Sequence, residues 1–373
     1  MSRLAGLALI LAAAPSMAEP KTDADGVPLP EGAVARLGSA RFRFDGTLYC
    51  PPAVSPDGKQ VAVACAPGVS VFDLGTGRRM YRLPLPGDHR PRSVRFLADG
   101  KRVAIGSGDW QRAAELTIWD LETEKALTTA EFTGKSQIFV IDTNADGTRV
   151  LVEDWFVKVF LWDVTAGREI WSVEHKEATS TLPFTTDGKH FVVSGYRTTE
   201  LYDAATGKVV GQYPNPGPGF GQRYSPGVAA DGRIAYGDDK GNSVAILAAE
   251  GKDRVRLLTA ERRAEHLSFS PDGRYLVGTV FAGTHVWDLA APDDKGPVAR
   301  LPPSSMSTFT PDGKTLILAG DGYLTLRAAG TWKLLPASAD PPSPVFRASF
   351  TPDGKEVVGY THQGWVRWPA AGG

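Results

Sequence analysis

"FSPDGRYLVG", residues 269–278, joins an aromatic residue, a Ser-Pro-Asp-Gly cluster and a short apolar run. "VSPDGKQVAV" at 54–63, "FTPDGKTLIL" at 309–318 and "FTPDGKEVVG" at 350–359 are close relatives of it. Asp-Gly pairs begin at Asp57, Asp99, Asp146, Asp187, Asp231, Asp272, Asp312 and Asp353, in steps of 40 to 47 residues. Asp-Gly between two apolar runs marks a hairpin, because glycine accepts the positive φ that the turn needs. Ser/Thr-Pro ahead of it pre-sets the first turn position. Eight such turns at a near-fixed period mean a repeated structural unit.

Each unit has the same grammar. A short run precedes the turn, such as "SVRF" at 93–96 or "LSF" at 267–269. A second run follows it, as in "RVAIGSG" and "TLILAG", and then a third, as in "ELTIWD", "KVFLWD", "TTELYD" and "GTHVWD". A second turn such as "VTAGRE" leads to a fourth run, "EIWSVE" in the third unit. These runs are short, rich in β-branched and aromatic residues, and bounded by Gly, Pro and Asp, so they read as strands. Residues 33–373 contain no sustained helical period.

Trp119-Asp120, Trp162-Asp163 and Trp287-Asp288 close the third run of their units, and Phe72-Asp73 and Tyr202-Asp203 are conservative versions. Units five, seven and eight carry Leu247-Ala248, Arg327-Ala328 and Trp368-Pro369 there. On these residues and this period, 33–373 resembles the WD40-repeat β-propeller family. The Ser-Pro-Asp-Gly turns are also similar to the repeats of periplasmic TolB-type propellers. The chain departs from the WD40 pattern in two places. His89 and His175 lack the preceding Gly, and the loop acid before the third strand is clear only as Asp321.

The expected fold is all-β, a single closed eight-bladed β-propeller of four-stranded antiparallel blades. The eighth unit ends after its third strand, at "WVRWPAAGG". Residues 33–43, "AVARLGSARFR", are expected to complete that last blade, which removes an open edge. The alternative is seven blades with one irregular unit, the unit at 211–258 having the weakest pattern.

The N-terminus reads separately. "MSRLAGLALILAAAPSMAEP" has a basic residue, an 11-residue apolar run from Leu4 to Ala14, and small residues before a cleavage position after Ala18. Residues 1–18 are therefore expected to be a secretory signal peptide. The run is too short to span a bilayer. Residues 19–32, polar and Pro-rich, are expected to be a disordered leader, and 33–373 the propeller. Export to the periplasm or the outside of the cell follows. The 41 basic and 42 acidic residues nearly cancel, which gives no footprint for nucleic acid.

Little in the chain points to catalysis. The six histidines, His89, His175, His190, His266, His285 and His362, include no pair at zinc-type spacing. No nucleophile elbow or P-loop occurs. The turn aspartates are of the type and position that make bends. No catalytic residue, metal or cofactor is assigned. A propeller enzyme with a site at the central channel, and a structural surface protein, are the alternatives.

Binding is the expected function, with a protein or peptide partner and a monomeric platform. In such a blade, the second-to-third-strand loops and the connections to the next blade share one face. The Asp-Gly turns occupy the other. The first face carries Asp109, Trp110, Trp155, Phe156, Tyr196, Arg197, Phe281, Tyr323, His362 and Trp365. The insertion at 211–227 adds Tyr213, Phe220, Arg223 and Tyr224. Aromatic and Arg residues on a rigid rim suit interface hot spots. Cys50 and Cys65 face each other if a two-residue hairpin at Asp57-Gly58 sets the register. A bulge, or Pro51-Pro52, would part them, so a disulfide stays open.

Overall fold

The structure, a computed structural model, describes residues 22, 41–85, 89–154, 158–174, 183–185, 187–194, 198–214, 226–237, 243–248, 254–260, 264–280, 283–292, 296–320, 322–338, 347–351, 355–361 and 364–369. The expected signal peptide and almost all of the expected leader lie outside them. The chain divides into two units, 40–341 and the combination of 1–39 with 342–373.

Residues 40–341 hold seven blades of antiparallel strands. Blade 1 comprises Ala53–Val54, Gln60–Cys65, Gly68–Asp73 and Arg79–Pro84, paired in that order. Blade 2 starts with Pro91–Phe96; Arg102–Asp120 spans its second and third strands. Lys125–Thr143 is its fourth strand and also the first of blade 3, which continues with Arg149–Asp154, Lys158–Asp163 and Arg168–Glu174. In blade 4, Phe184 bridges to Phe191 beside His190–Ser194, Thr198–Asp203 and Val209–Pro214. Blade 5 is Gly227–Val228, Ile234–Gly237, Ser243–Leu247 and Arg254–Thr259. Blade 6 is Ala264–Phe269, Tyr275–Val280, Gly283–Asp288 and Ala299–Leu301. Blade 7 has Met306–Phe309, Thr315–Gly320 and Tyr323–Ala328.

The turns follow one design. In all seven blades the turn glycine has a φ between 65° and 84°, and its amide donates to the carbonyl three residues back. The preceding aspartate accepts the amide two residues on, as Asp57 does from Lys59 at 3.0 Å and Asp272 from Arg274 at 3.0 Å. The Ser55 hydroxyl and the Lys59 amide hold the Asp57 carboxyl below its usual range. These carboxylates are consumed by the bend. The aspartate after the third-strand aromatic does similar work one turn later. Asp73 accepts the amide and hydroxyl of Thr76, and Asp203 those of Thr206.

Among the described residues the core of the ring is seven clusters, one between each pair of neighbouring blades, and this repeats because each sheet has two apolar faces. Trp119 packs blade 2 on blade 1, Tyr202 packs blade 4 on blade 3, and Trp287 packs blade 6 on blade 5. The seventh cluster joins blade 7 to blade 1. There Ile317, Leu324 and Leu326 meet Val61, Val63 and Phe72, with Phe42 and Phe44 between them. The ring is thus closed at seven.

This corrects the eight-bladed expectation in favour of its alternative. The fourth-strand position of blade 7 is filled in two pieces. Leu334 bridges to Arg327 at one end, and Arg43 bridges to Tyr323 at the other. Leu324 donates to the Phe42 carbonyl at 3.1 Å, and Phe44 to the Gly322 carbonyl at 2.9 Å. An N-terminal segment does close the last blade, but that blade is the seventh. The turn glycine of blade 1, Gly58, stands against Pro311 of blade 7, which leaves no gap for another blade. The unit at 211–258, the weakest in sequence pattern, supplies the strands of blade 5, which pair in the usual order with one register shift between Ile246 and Leu247.

The eighth repeat falls in the other unit. It is a three-stranded sheet of Arg347–Phe350, Glu356–Thr361 and Gly364–Pro369. Thr351 keeps the repeat's turn chemistry there, its hydroxyl accepting the Glu356 amide at 3.1 Å. Among the described residues no helix is long and apolar enough to cross a membrane.

Candidate functional site

Most of the expected rim residues lie outside the described residues: Trp155, Phe156, Tyr196, Arg197, Phe220, Arg223, Tyr224, Phe281 and His362. Asp109, Trp110, Tyr213 and Trp365 have their backbone in strands, and their side chains also fall outside the description. Tyr323 is half-buried and pairs with Gly320 and Arg43, so it belongs to the closure of the ring. Around Asp109 and Trp110 the expected loop is built as strand. Gly108 pairs with Gln137 and Ala113 with Lys135, which ties two neighbouring rim connections together.

The cysteines are free and buried. Ala53 pairs with Ala62 and Val54 with Val61, the register of the simple hairpin. Past Pro51-Pro52 the ladder breaks, and Leu48 rather than Cys50 stands opposite Cys65. Cys50 then packs toward blade 2 and Cys65 toward blade 7. Burial pushes the Cys65 thiol up to about 11, so it stays protonated and unreactive at neutral pH.

Polar groups are buried near the rim ends of the strands. His89 Nδ1 lies 3.0 Å from Glu115 Oε2 in blade 2. The irregular histidine noted in the sequence thus meets a carboxylate from the third strand. In blade 3, burial and the neighbouring Glu153 push Asp154 up to about 6. A raised acid favours its neutral form in the fold. Its ionisation therefore costs stability above about pH 6, and the cost fades as pH falls toward the ordinary carboxylate range. Asp154→Asn is expected to stabilise the protein at pH 7.5 by about 1 kcal/mol, after allowance for partial solvation. Thermal melts at pH 7.5 and pH 4 check it, the gain vanishing at the lower pH.

The opposite face holds a cavity of about 390 Å³ at the axis. Four blades line it: Pro52 and Pro56 from blade 1, Arg95 from blade 2, Asn144 from blade 3, and Phe309 and Pro311 from blade 7. Blades 7 and 1 share this wall only because the ring closes at seven. Arg95 Nε donates to Asp142 Oδ1 at 3.3 Å, linking the first strands of blades 2 and 3. Asp142 Oδ2 accepts the Phe184 amide at 2.9 Å, which reaches blade 4. Burial holds the Asp142 carboxyl above its usual range, with Arg95 offsetting only part of the rise.

Reading the turn face as punctuation missed this site. A signal was present. Four residues before the aspartate of each Asp-Gly pair, six of the eight repeats have a neutral residue, and only Arg95 and Asp142 are charged. Neighbouring blades thus carry opposite charges at equivalent channel positions.

Comparisons with known proteins bear on the family more than on the site. No curated protein matches the chain. Among solved structures, a chain in the crystal structure of a mitotic checkpoint complex is similar. It has 18% identity and a TM-score of 0.64, over 79% of this chain and 98% of that one. Matching chains number 1775, so likeness of fold selects no function. The family model described as outer membrane protein assembly factor BamB matches residues 68–328, from the third strand of blade 1 to the third strand of blade 7. That is well over half of the chain, and the protein belongs to the BamB family of β-propellers.

Proposed function

We propose that the protein is an exported, non-enzymatic binding platform that holds a protein or peptide partner in the bacterial periplasm. Family membership carries this reading, because the family is that of a factor for outer membrane protein assembly. The architecture supports it. Each blade packs only on its neighbours, so rim segments vary without disturbing the seven clusters. The paired connections around Gly108 and Gln137 give part of that rim a rigid base. Rigidity there lowers the ordering cost of binding.

The partner site on this reading is the rim, with the insertion at 211–227 as its largest element. Affinity capture from periplasm with the mature protein is compared with capture by a variant lacking 214–222. A partner held by the first and lost by the second is the expected result. Identical partner sets would remove the role of that insertion.

A further inference from the structure

We infer that the turn-face cavity is a binding site for a carboxylate carried on an apolar body. This goes beyond the proposed rim platform and concerns the opposite face. Three observations carry it.

The first is shape. About 390 Å³ lies within the range of small-ligand pockets, and four blades wall it. The walls are rigid and mix polar with apolar surface, the apolar part coming from proline and phenylalanine. Pro51, Pro52, Pro56 and Pro311 surround the cavity with Phe96 and Phe309. Proline rings and buried aromatics do not reorganise when a ligand arrives, so little ordering cost falls on the protein.

The second is the state of Arg95. A guanidinium has five N–H donors. Nε donates to Asp142, and Nη1 donates to the Val94 carbonyl at 2.8 Å. Three donors remain on the Nη1/Nη2 end of a side chain that lines the cavity. Arg95 retains 29% side-chain exposure, so an incoming group can reach it. Charge-assisted donors of this kind suit a carboxylate.

The third is that the neighbouring polar groups are occupied. Asp142 takes Arg95 on one oxygen and the Phe184 amide on the other. It therefore orients the guanidinium and has no oxygen free of a partner. The Asn144 amide bonds Thr148, and its carbonyl takes the Arg149 amide. The Thr143 hydroxyl bonds the Phe96 carbonyl. Polar recognition in the cavity thus runs through Arg95, with the Thr308 hydroxyl on the opposite wall. A neutral apolar ligand would leave the three Arg95 donors without partners, and a cation would meet the same charge.

Two sources supply this chemistry, a free arylaliphatic acid and the C-terminus of a peptide ending in an apolar residue. The probes are 4-phenylbutyrate and acetyl-Gly-Gly-Phe with a free carboxylate, each against its neutral amide, in titration calorimetry with the full mature protein. At least one acid is expected to bind at least tenfold tighter than its amide. The tighter acid names the source. Arg95→Gln is expected to weaken the acid at least tenfold and leave the amide unchanged. Asp142→Asn, which keeps an acceptor for Phe184 but removes the competing charge, is expected to tighten the acid several-fold. Ala145→Trp fills the cavity from an exposed turn position and is expected to abolish binding without touching the Arg95–Asp142 pair. Should Arg95→Gln fail to fold, the other two variants decide. Equal binding of acids and amides, no binding of either acid at millimolar concentration, or wild-type acid binding by Arg95→Gln overturns the proposal. Deleting 214–222 on the other face is expected to leave acid binding intact, so this site and the rim platform fail independently.

Discussion

Phe42→Ala is expected to cost about 3–5 kcal/mol of stability and to broaden the unfolding transition. Phe42 is 1% exposed and sits in the cluster that joins the last blade to the first. Its ring lies 6.1 Å from that of Phe72. Its amide donates to the Gly77 carbonyl of blade 1 at 2.8 Å, and its own carbonyl accepts Leu324 of blade 7. One residue thus bridges both sides of the seam. Its backbone is held at a φ of 54°, where a bulky residue is strained, so the surrounding contacts must outweigh that strain. Removing the ring leaves a cavity at the joint that makes the propeller circular. The seven blades could then unfold from an end, and cooperativity would fall. Urea unfolding followed by tryptophan fluorescence and by circular dichroism checks it. A loss under 1 kcal/mol with coincident transitions would show that the seam lies elsewhere.

Trp287→Ala is expected to cost a similar amount, about 3–5 kcal/mol, through a different interface. Trp287 is 1% exposed between blades 5 and 6. Its indole N–H donates to the Thr259 carbonyl at 3.0 Å, from the third strand of one blade to the fourth strand of its neighbour. Alanine removes the largest fully buried side chain among the described residues and takes the indole N–H from that carbonyl. Trp287→Phe keeps much of the volume and loses the hydrogen bond, so its cost is expected to be about half. Trp162 stands at the equivalent place in blade 3 but is only partly buried, and its alanine variant is expected to lose less. Denaturant midpoints for the three variants give the order. Equal costs for Trp287→Ala and Trp162→Ala would contradict packing as the reason.

The strands and turns were legible in the sequence because their chemistry is local. An Asp-Gly pair needs only its neighbours to make the bend, and all seven described turns make it the same way. The third-strand aromatics were legible for the same reason, since alternation puts them on an apolar face. The blade number was not. The eighth repeat carries the same turn code, and Thr351 still performs it. What excludes it from the ring is the placement of Phe42 and Phe44 against Leu324, a contact some 280 residues apart in sequence that no local pattern records. The sequence left the blade 1 register open between a simple hairpin and a bulge; the simple hairpin holds as far as Ala53, and the ladder breaks at Pro51-Pro52, where proline cannot continue it. Arg95 and Asp142 were visible as two charges at equivalent positions. Their meaning depended on knowing that those positions face the axis.

The unfolding of a chain ending at residue 341 tests the seven-bladed closure most directly, and the axial cavity depends on that closure. The ring held by Phe42 and Phe44 predicts one cooperative transition within a few degrees of the full protein, because among the described residues no strand of the seven blades comes from 342–373. Loss of the cooperative transition on removing those residues would contradict it and would place the eighth repeat inside the ring.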